Sequence, residues 1–315
     1  MVSLAFGPIS SRRLGRSLGI NNVPYKVCTY SCIYCQLGET TNKIIRRRRF
    51  YKPEDILTEV EKRVKDIYLK DEHIDYLTFV PDGEPTLDAN LGREISLLKR
   101  IGIPIAVLTN ASLLWNKDVR KSLLEADLVS LKVDAVSKEL WRLVNKPHES
   151  LQINRILEGV RRFTEEFNGV VISETMIIDG IEYNGEFERI GRFLEGLDNL
   201  SVAYISVPVR PPSEKWVKPA RREILNEAFQ IFSRILGGSR VKFLVEHEGN
   251  DFAFTGRIED EILGIAAVHP IRKEAMIKLL EKAKADWQIV EKLLQEGRLV
   301  KLEYNGNEYY RAKPI

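Results

Sequence analysis

The stretch CTYSCIYC, Cys28 to Cys35, holds every cysteine of the 315-residue chain, at the spacing C-x3-C-x2-C. Thiolates are soft ligands suited to zinc or to iron–sulfur clusters. Structural zinc takes four protein ligands. Here the fourth would have to be a histidine, and His73, His148, His247 and His269 all lie far from the motif in sequence. Zinc therefore requires one of them to fold back. A [4Fe–4S] cluster has four iron sites, each normally held by a cysteine, so three thiolates leave one iron open to another ligand. A redox pair fits less well, because this spacing leaves an odd thiol.

The rest of the composition narrows the class. The chain is 44% hydrophobic and 30% charged, the balance of a globular protein large enough for one barrel-sized domain or a large and a small one. It has no apolar run long enough to span a membrane and no signal-peptide core near its start. Three cysteines cannot all pair within one chain, which argues against a secreted disulfide framework, and the expected compartment is the cytoplasm. Net charge is +3, but residues 1–52 carry ten Lys/Arg and a single acid, Glu39, leaving −6 on the remainder. That asymmetry points to an anionic partner near the N-terminal segment, with Arg46 and Arg47 as candidate substrate contacts.

Helix and strand patterns alternate along most of the chain. Pro53 opens a run with Ile56, Leu57, Val60, Val64 and Ile67 at helical spacing. Strands are expected at 74–80, 105–108, 128–133, 170–178 and 202–207, each followed by turn residues. Helices are expected at 88–100, 116–125, 137–145, 151–166 and 220–236. This rhythm predicts an α/β fold, a parallel sheet with helices outside it, as an open Rossmann-like sheet or a barrel. The stretch GPISSRRLGRSLGINNVP before the cysteines reads as a lead-in strand or loop.

C-x3-C-x2-C with Tyr34 before the last cysteine resembles the signature of radical S-adenosylmethionine (SAM) enzymes. The resemblance covers about the first 250 residues. It implies a partial (β/α)6 TIM-like barrel and a [4Fe–4S] cluster on Cys28, Cys32 and Cys35. It also implies SAM at the open iron, reductive cleavage to a 5′-deoxyadenosyl radical, and hydrogen abstraction from a substrate. Chemistry would sit at the C-terminal ends of the strands. There PDGEPT (Pro81–Thr86) resembles the GGE motif that binds the SAM amino group, with Gly83 for close backbone approach and Glu84 as acceptor; Asp82 stands where the family often has glycine. Thr109-Asn110 resembles the T-N pair after the third strand. In VSLKVDA, Lys132 and Asp134 share one strand face, an alternation similar to that of the activating enzymes, where the lysine would face the SAM carboxylate. Glu174, alone among apolar residues, would serve the ribose, the substrate or Lys132. Arg210, at the sixth strand end, would hold a substrate carboxylate or phosphate.

GPISSRRLGRSLGI with CTYSCIYCQLG looks like the group related to wyosine-type tRNA synthetases and molybdopterin-precursor cyclases. The wyosine enzymes carry further cysteines, which this chain lacks. A tRNA, another anionic molecule or a protein would be the substrate, and a reductant protein would supply the electron.

The pattern changes near residue 248, dividing the chain into 1–248 and 249–315. Helical patterns at 258–266, 273–283 and 287–294, with Asp286 as N-cap, precede LVKLEY-NG-NEYYR, a hairpin with an Asn-Gly turn. Three helices and a hairpin resemble a winged-helix module. Its third helix has two acids to one lysine, against a DNA-reading role. The competing function is a zinc- or redox-responsive nucleic-acid-binding winged-helix protein.

Overall fold

The computed structural model describes residues 4–245 and 257–313. The expected division at 248/249 and His247 lie outside the described residues. In chain order the elements are β1 (Ala5–Ser11), β2 (Gly15–Ile20), α1 (Pro53–Tyr68), β3 (Tyr76–Phe79), α2 (Leu91–Leu98), β4 (Ile105–Thr109), α3 (Lys117–Leu123), β5 (Leu128–Lys132), α4 (Lys138–Asn145), α5 (Ile153–Glu166), β6 (Val170–Met176), α6 (Glu186–Glu195), β7 (Leu200–Ser206), α7 (Arg222–Leu236) and β8 (Val241–Leu244). There follow α8 (Ile258–Val268), β9 (Ile271–Arg272), α9 (Lys273–Ala283), α10 (Gln288–Gln295), β10 (Leu299–Tyr304) and β11 (Asn307–Ala312).

Local chemistry explains the helices. In α1, Pro53 takes the first turn, where a missing N–H costs nothing, and Glu54 and Asp55 face the positive end of the dipole. Ile56, Val60, Val64 and Ile67 then form one buried stripe. α5 buries Ile156, Val160 and Phe163 in the same manner. Its Gly159 lets it approach the chain at Trp115, whose N would lie 2.3 Å from any Cβ there.

Strands β1 to β8 form one sheet in sequential order. β1 is antiparallel to β2, and β2 to β8 are parallel neighbours. A doubly wound sheet reverses its order at a switch point. This sheet does not, which excludes the open Rossmann alternative. Strand residues divide by alternation. Leu77, Ile105, Val107, Val129, Leu131 and Val171 belong to the core beneath the helices. Ala106, Leu128 and Ile172 pack on the opposite face with Tyr76, Leu108, Val202, Tyr204 and Leu14, which comes from the β1–β2 turn. Arg12 Nη1 donates to Leu244 O at 2.7 Å, tying that turn to the end of β8.

The N-terminal segment is thus a two-stranded hairpin, more regular than its sequence suggested. β8 and β9 had no distinct signal. Asp286 is not the N-cap of α10. Trp287 occupies that position without a side-chain cap.

In the C-terminal module the sheet order is β10-β11-β9. Asn305 and Gly306 both have positive φ, 47° and 73°, as the Asn-Gly turn requires. The module's core takes in Phe6 and Ile9 from β1 beside Ile262, Ile265, Met276 and Leu293. β1 is therefore shared between the two cores. Among the described residues no helix is long and apolar enough to cross a membrane.

Candidate active site

The loop between β2 and α1 carries the three cysteines and is held on four sides. Lys26 N donates to Asp82 O at 2.8 Å and Glu84 N to Val27 O at 2.9 Å, binding the loop to the PDGE turn after β3. Gly83 is required there, since a Cβ would stand 1.9 Å from Val27 O. At the end of α4, Ile33 N donates to Val144 O at 2.9 Å and His148 N to Thr29 O at 2.9 Å. Ser213 Oγ donates to Cys32 O at 3.0 Å. Gln36 Nε2 donates to Val268 O, at the end of α8, at 2.8 Å.

Each sulfur faces one nitrogen donor. Asn110 Nδ2 lies 3.6 Å from Cys28 Sγ, Asn145 Nδ2 lies 3.5 Å from Cys32 Sγ, and Lys26 Nζ lies 3.3 Å from Cys35 Sγ. Burial pushes the Cys28 and Cys32 thiols up to about 12. As free thiols at neutral pH they stay protonated, whereas a bound metal holds them as thiolates. Donors aimed at sulfur favour that anionic form. Among the described residues no three His, Cys, Asp or Glu side chains gather as the ligands of a single ion would. The donor set of three soft sulfurs on one loop, each with its own N–H, fits an iron–sulfur cluster. The zinc alternative finds no support.

Glu84 is buried and heavily engaged. Its Oε1 accepts from Thr86 N at 3.1 Å, Thr86 Oγ1 at 2.5 Å and Thr109 Oγ1 at 2.6 Å. Its Oε2 accepts from Asn110 N at 2.8 Å. Glu84, Thr109 and Asn110 therefore form one unit joining the ends of β3 and β4. Burial raises the Glu84 pKa.

Lys132, Asp134 and Glu174 also come together. Lys132 Nζ lies 3.4 Å from Asp134 Oδ1 and 3.2 Å from Glu174 Oε1, and 4.9 Å from the centre of the Tyr34 ring. The Tyr34 hydroxyl donates to Asp134 Oδ2, which also accepts from Asn145 Nδ2 at 2.7 Å. Glu174 is paired on its other oxygen by Arg13 from the β1–β2 turn. Burial lowers the Lys132 pKa, against the pull of Asp134. Arg13, Glu174, Lys132, Asp134 and Tyr34 thus form an alternating ionic ladder from the hairpin turn to the cysteine loop. A cavity beside it is lined by Tyr30, Asn110, Lys132, Asp134, Trp141 and Asn145.

The other expected residues lie elsewhere. Arg210 contacts His269 of the C-terminal module. Arg47 is half-buried, its guanidinium donating to Thr86 O at 3.0 Å, Asp88 O at 2.7 Å and Ser122 Oγ at 3.1 Å. It clasps its own segment to the β3–α2 connection, whereas Arg46 is exposed. Sequence reasoning missed Arg13, Lys26 and Asn145. Arg13 and Lys26 were visible only as members of a basic segment, and Asn145 had no signal at a helix end.

A family model described as the radical SAM superfamily matches residues 22–194. The UPF0026 protein MJ1312 of Methanocaldococcus jannaschii is 48% identical, over 98% of this chain and 96% of its own. Among solved structures, a radical SAM methyltransferase from Sphaerobacter thermophilus superposes with a TM-score of 0.52 at 15% identity, covering 73% of this chain and 67% of that one. A structure of TYW1 with a lysine-pyruvate adduct bound superposes at 0.50 and 14% identity, covering 70% of this chain and 73% of that one. At such identities the two structures share the fold.

Proposed function

The chain belongs to the radical SAM superfamily, and from that premise we propose that Cys28, Cys32 and Cys35 hold a [4Fe–4S] cluster with SAM at its open iron. The protein is an enzyme of this superfamily; its substrate is what has to be inferred. When bound and reduced, the cluster supplies the electron that cleaves SAM to methionine and a 5′-deoxyadenosyl radical, which abstracts hydrogen from substrate. The observation that carries the reading is the set of three sulfurs on one pinned loop, each with its own N–H donor.

The chain's own groups would position and shield. Asn110, Asn145 and Lys26 stabilise the thiolates. Oε1 of Glu84 is saturated, but Oε2 has one donor and keeps capacity for the SAM amino group. Gly83 lets the PDGE backbone lie against the loop. Lys132 and Asp134 orient the SAM carboxylate and its neighbours, with Glu174 as counter-charge and Tyr34 packed between ladder and loop. Arg210, held against His269 of the C-terminal module, would meet a substrate carboxylate or phosphate from that side.

The order helix, strand, helix, helix, hairpin leads us to propose that residues 249–315 form a winged-helix-like domain against a radical SAM barrel of residues 1–248. Contacts such as Gln36 to Val268, and Tyr309 Oη to Val209 O at 2.8 Å, favour a fixed wall over a free reading head. The substrate is taken to be anionic, with a tRNA as first candidate, and the electron donor a reductant protein. Three free, half-buried cysteines suit the cytoplasm.

The test is anaerobic reconstitution with iron and sulfide, then EPR of the reduced protein with and without SAM. A [4Fe–4S] signal that changes with SAM, together with 5′-deoxyadenosine formation, is expected. Stoichiometric zinc with no cluster would overturn the reading.

A further inference from the structure

The basic N-terminal segment is less free than its charge suggests. Arg12 is bound to Leu244 O and Arg13 to Glu174. Arg16 pairs with Glu72. Lys26 faces Cys35 Sγ and donates to Gly38 O at 2.6 Å. Lys43 Nζ donates to Lys146 O at 3.1 Å, and Arg47 is the clasp described above. The remaining cations are Arg46, Arg48, Arg49 and Lys52. All four are exposed, and among the described residues their side chains have no ion-pair or hydrogen-bond partner.

These four lie on the short segment that leads from the cysteine loop into α1. Arg48 pairs with the 87–89 connection, its N donating to Leu87 O at 2.9 Å while its O accepts from Ala89 N at 2.7 Å. Arg47 turns inward, while Arg46, Arg48 and Arg49 beside it are exposed. The chain bends at Arg46 and again at Tyr51, so the strip from Arg46 to Lys52 is shorter than the ~20 Å of a fully extended chain. It begins beside the cysteine loop, for Ile44 N donates to Cys28 O at 3.0 Å.

In the C-terminal module several cations, Lys301 of the wing among them, are committed to carboxylates. Lys301 and Lys273 both pair with Glu308, Lys292 pairs with Glu259, and Arg298 lies near Glu259 and Glu296.

We propose that the strip Arg46, Arg48, Arg49 and Lys52 binds the phosphate backbone of a folded RNA and brings it to the cysteine-loop side of the barrel. The proposal deepens the anionic-substrate reading and rests on it only for the chemistry after binding. Three features favour RNA over an acidic protein face. The cations follow one another within seven residues of a single stretch of chain, as phosphates follow along one backbone. Three of the four are arginines, whose forked donors match phosphate oxygens. Phe50 and Tyr51 follow at once; both pack against the barrel core and keep part of their surface exposed, where an unpaired base would meet an aromatic ring.

The test is filter binding of unfractionated tRNA to the full-length protein across about 50–200 mM salt. The variants are R46A/R48A/R49A and its charge-reversed form R46E/R48E/R49E, with R298A/K301A in the wing as control. Wild type and the wing variant should bind alike, with affinity falling steeply as salt rises. The arginine variants should lose at least about tenfold in affinity, and the alanine form should show a salt slope shallower by about two to three units. Circular dichroism should show both folded. Unchanged binding in the arginine variants, no binding by wild type at about 50 mM salt, or loss in the wing variant would overturn the proposal. So would intact RNA binding with slowed electron uptake from reduced flavodoxin, which would assign the strip to an acidic protein. None of the RNA measurements needs the cluster, and SAM cleavage driven by dithionite needs no RNA, so each reading fails on its own terms.

Discussion

At the scale of single residues, what matters is how completely each polar group near the cysteines is committed. Asn21 and Asp82 exchange two hydrogen bonds, with Asn21 Nδ2 donating to Asp82 Oδ2 at 3.0 Å and Asp82 N donating to Asn21 Oδ1 at 3.1 Å. Burial raises the Asp82 carboxyl to about 6. A carboxyl raised in the folded state binds more protons there than in the unfolded chain. Its contribution to stability is therefore full below the ordinary carboxylate range and is lost as pH rises through about 6. The lost increment is on the order of 2–3 kcal/mol. Asp82→Asn should remove this slope, so that denaturation midpoints measured from about pH 4 to 7 flatten relative to wild type. An undiminished slope in the variant would assign it to another group. The sequence showed Asp82 only as a departure from a glycine; its exchange with Asn21, 61 positions away, belongs to the folded chain.

Among elements, β1 has two partners. It pairs with β2 in the large sheet, and its Phe6 and Ile9 enter the core of the C-terminal module. The Phe6 ring lies across Gly19 of β2, where a Cβ would approach it to 2.1 Å. Phe6→Ala should cost about 3–5 kcal/mol, and the cost should fall on the join between the parts. The expected result is faster proteolysis of the C-terminal module than of the barrel, read as fragment masses over time. Equal rates would mean that the remaining contacts suffice. The helices and inner strands were legible because each has its own periodicity of 3.6 or 2. β1 and β2 were not, since GPISSRR and GRSLGI mix glycine, serine and arginine, and their strand state comes from pairing. Short β8 and β9 were missed for the same reason.

Across the whole molecule, charges far apart in sequence depend on one another. The ladder joins position 13 to position 174, position 174 to position 132, and position 132 to position 134. Breaking a mostly buried pair costs more than the pair contributes, because it leaves a charge uncompensated. Glu174→Gln should therefore destabilise by about 2–4 kcal/mol, while R13M/E174Q should recover part of that loss. Chemical denaturation of the two single variants and the double one closes the cycle. Strict additivity would show that Arg13 and Glu174 do not interact.

The sequence by itself determined the candidate ligand set and the class of fold. Three cysteines in eight residues restrict the ligand set, and repeated strand–helix periods with turns at the strand ends require a parallel α/β sheet. Both are local properties, carried by spacing and periodicity. Only the tertiary structure decided which cations remain available. Six of the ten basic residues before α1 meet carbonyls, carboxylates or a sulfur, while Arg46, Arg48, Arg49 and Lys52 face solvent. Formal charge adds along the chain, but its availability to a partner depends on what the fold places beside each group, and most of those neighbours are far away in sequence.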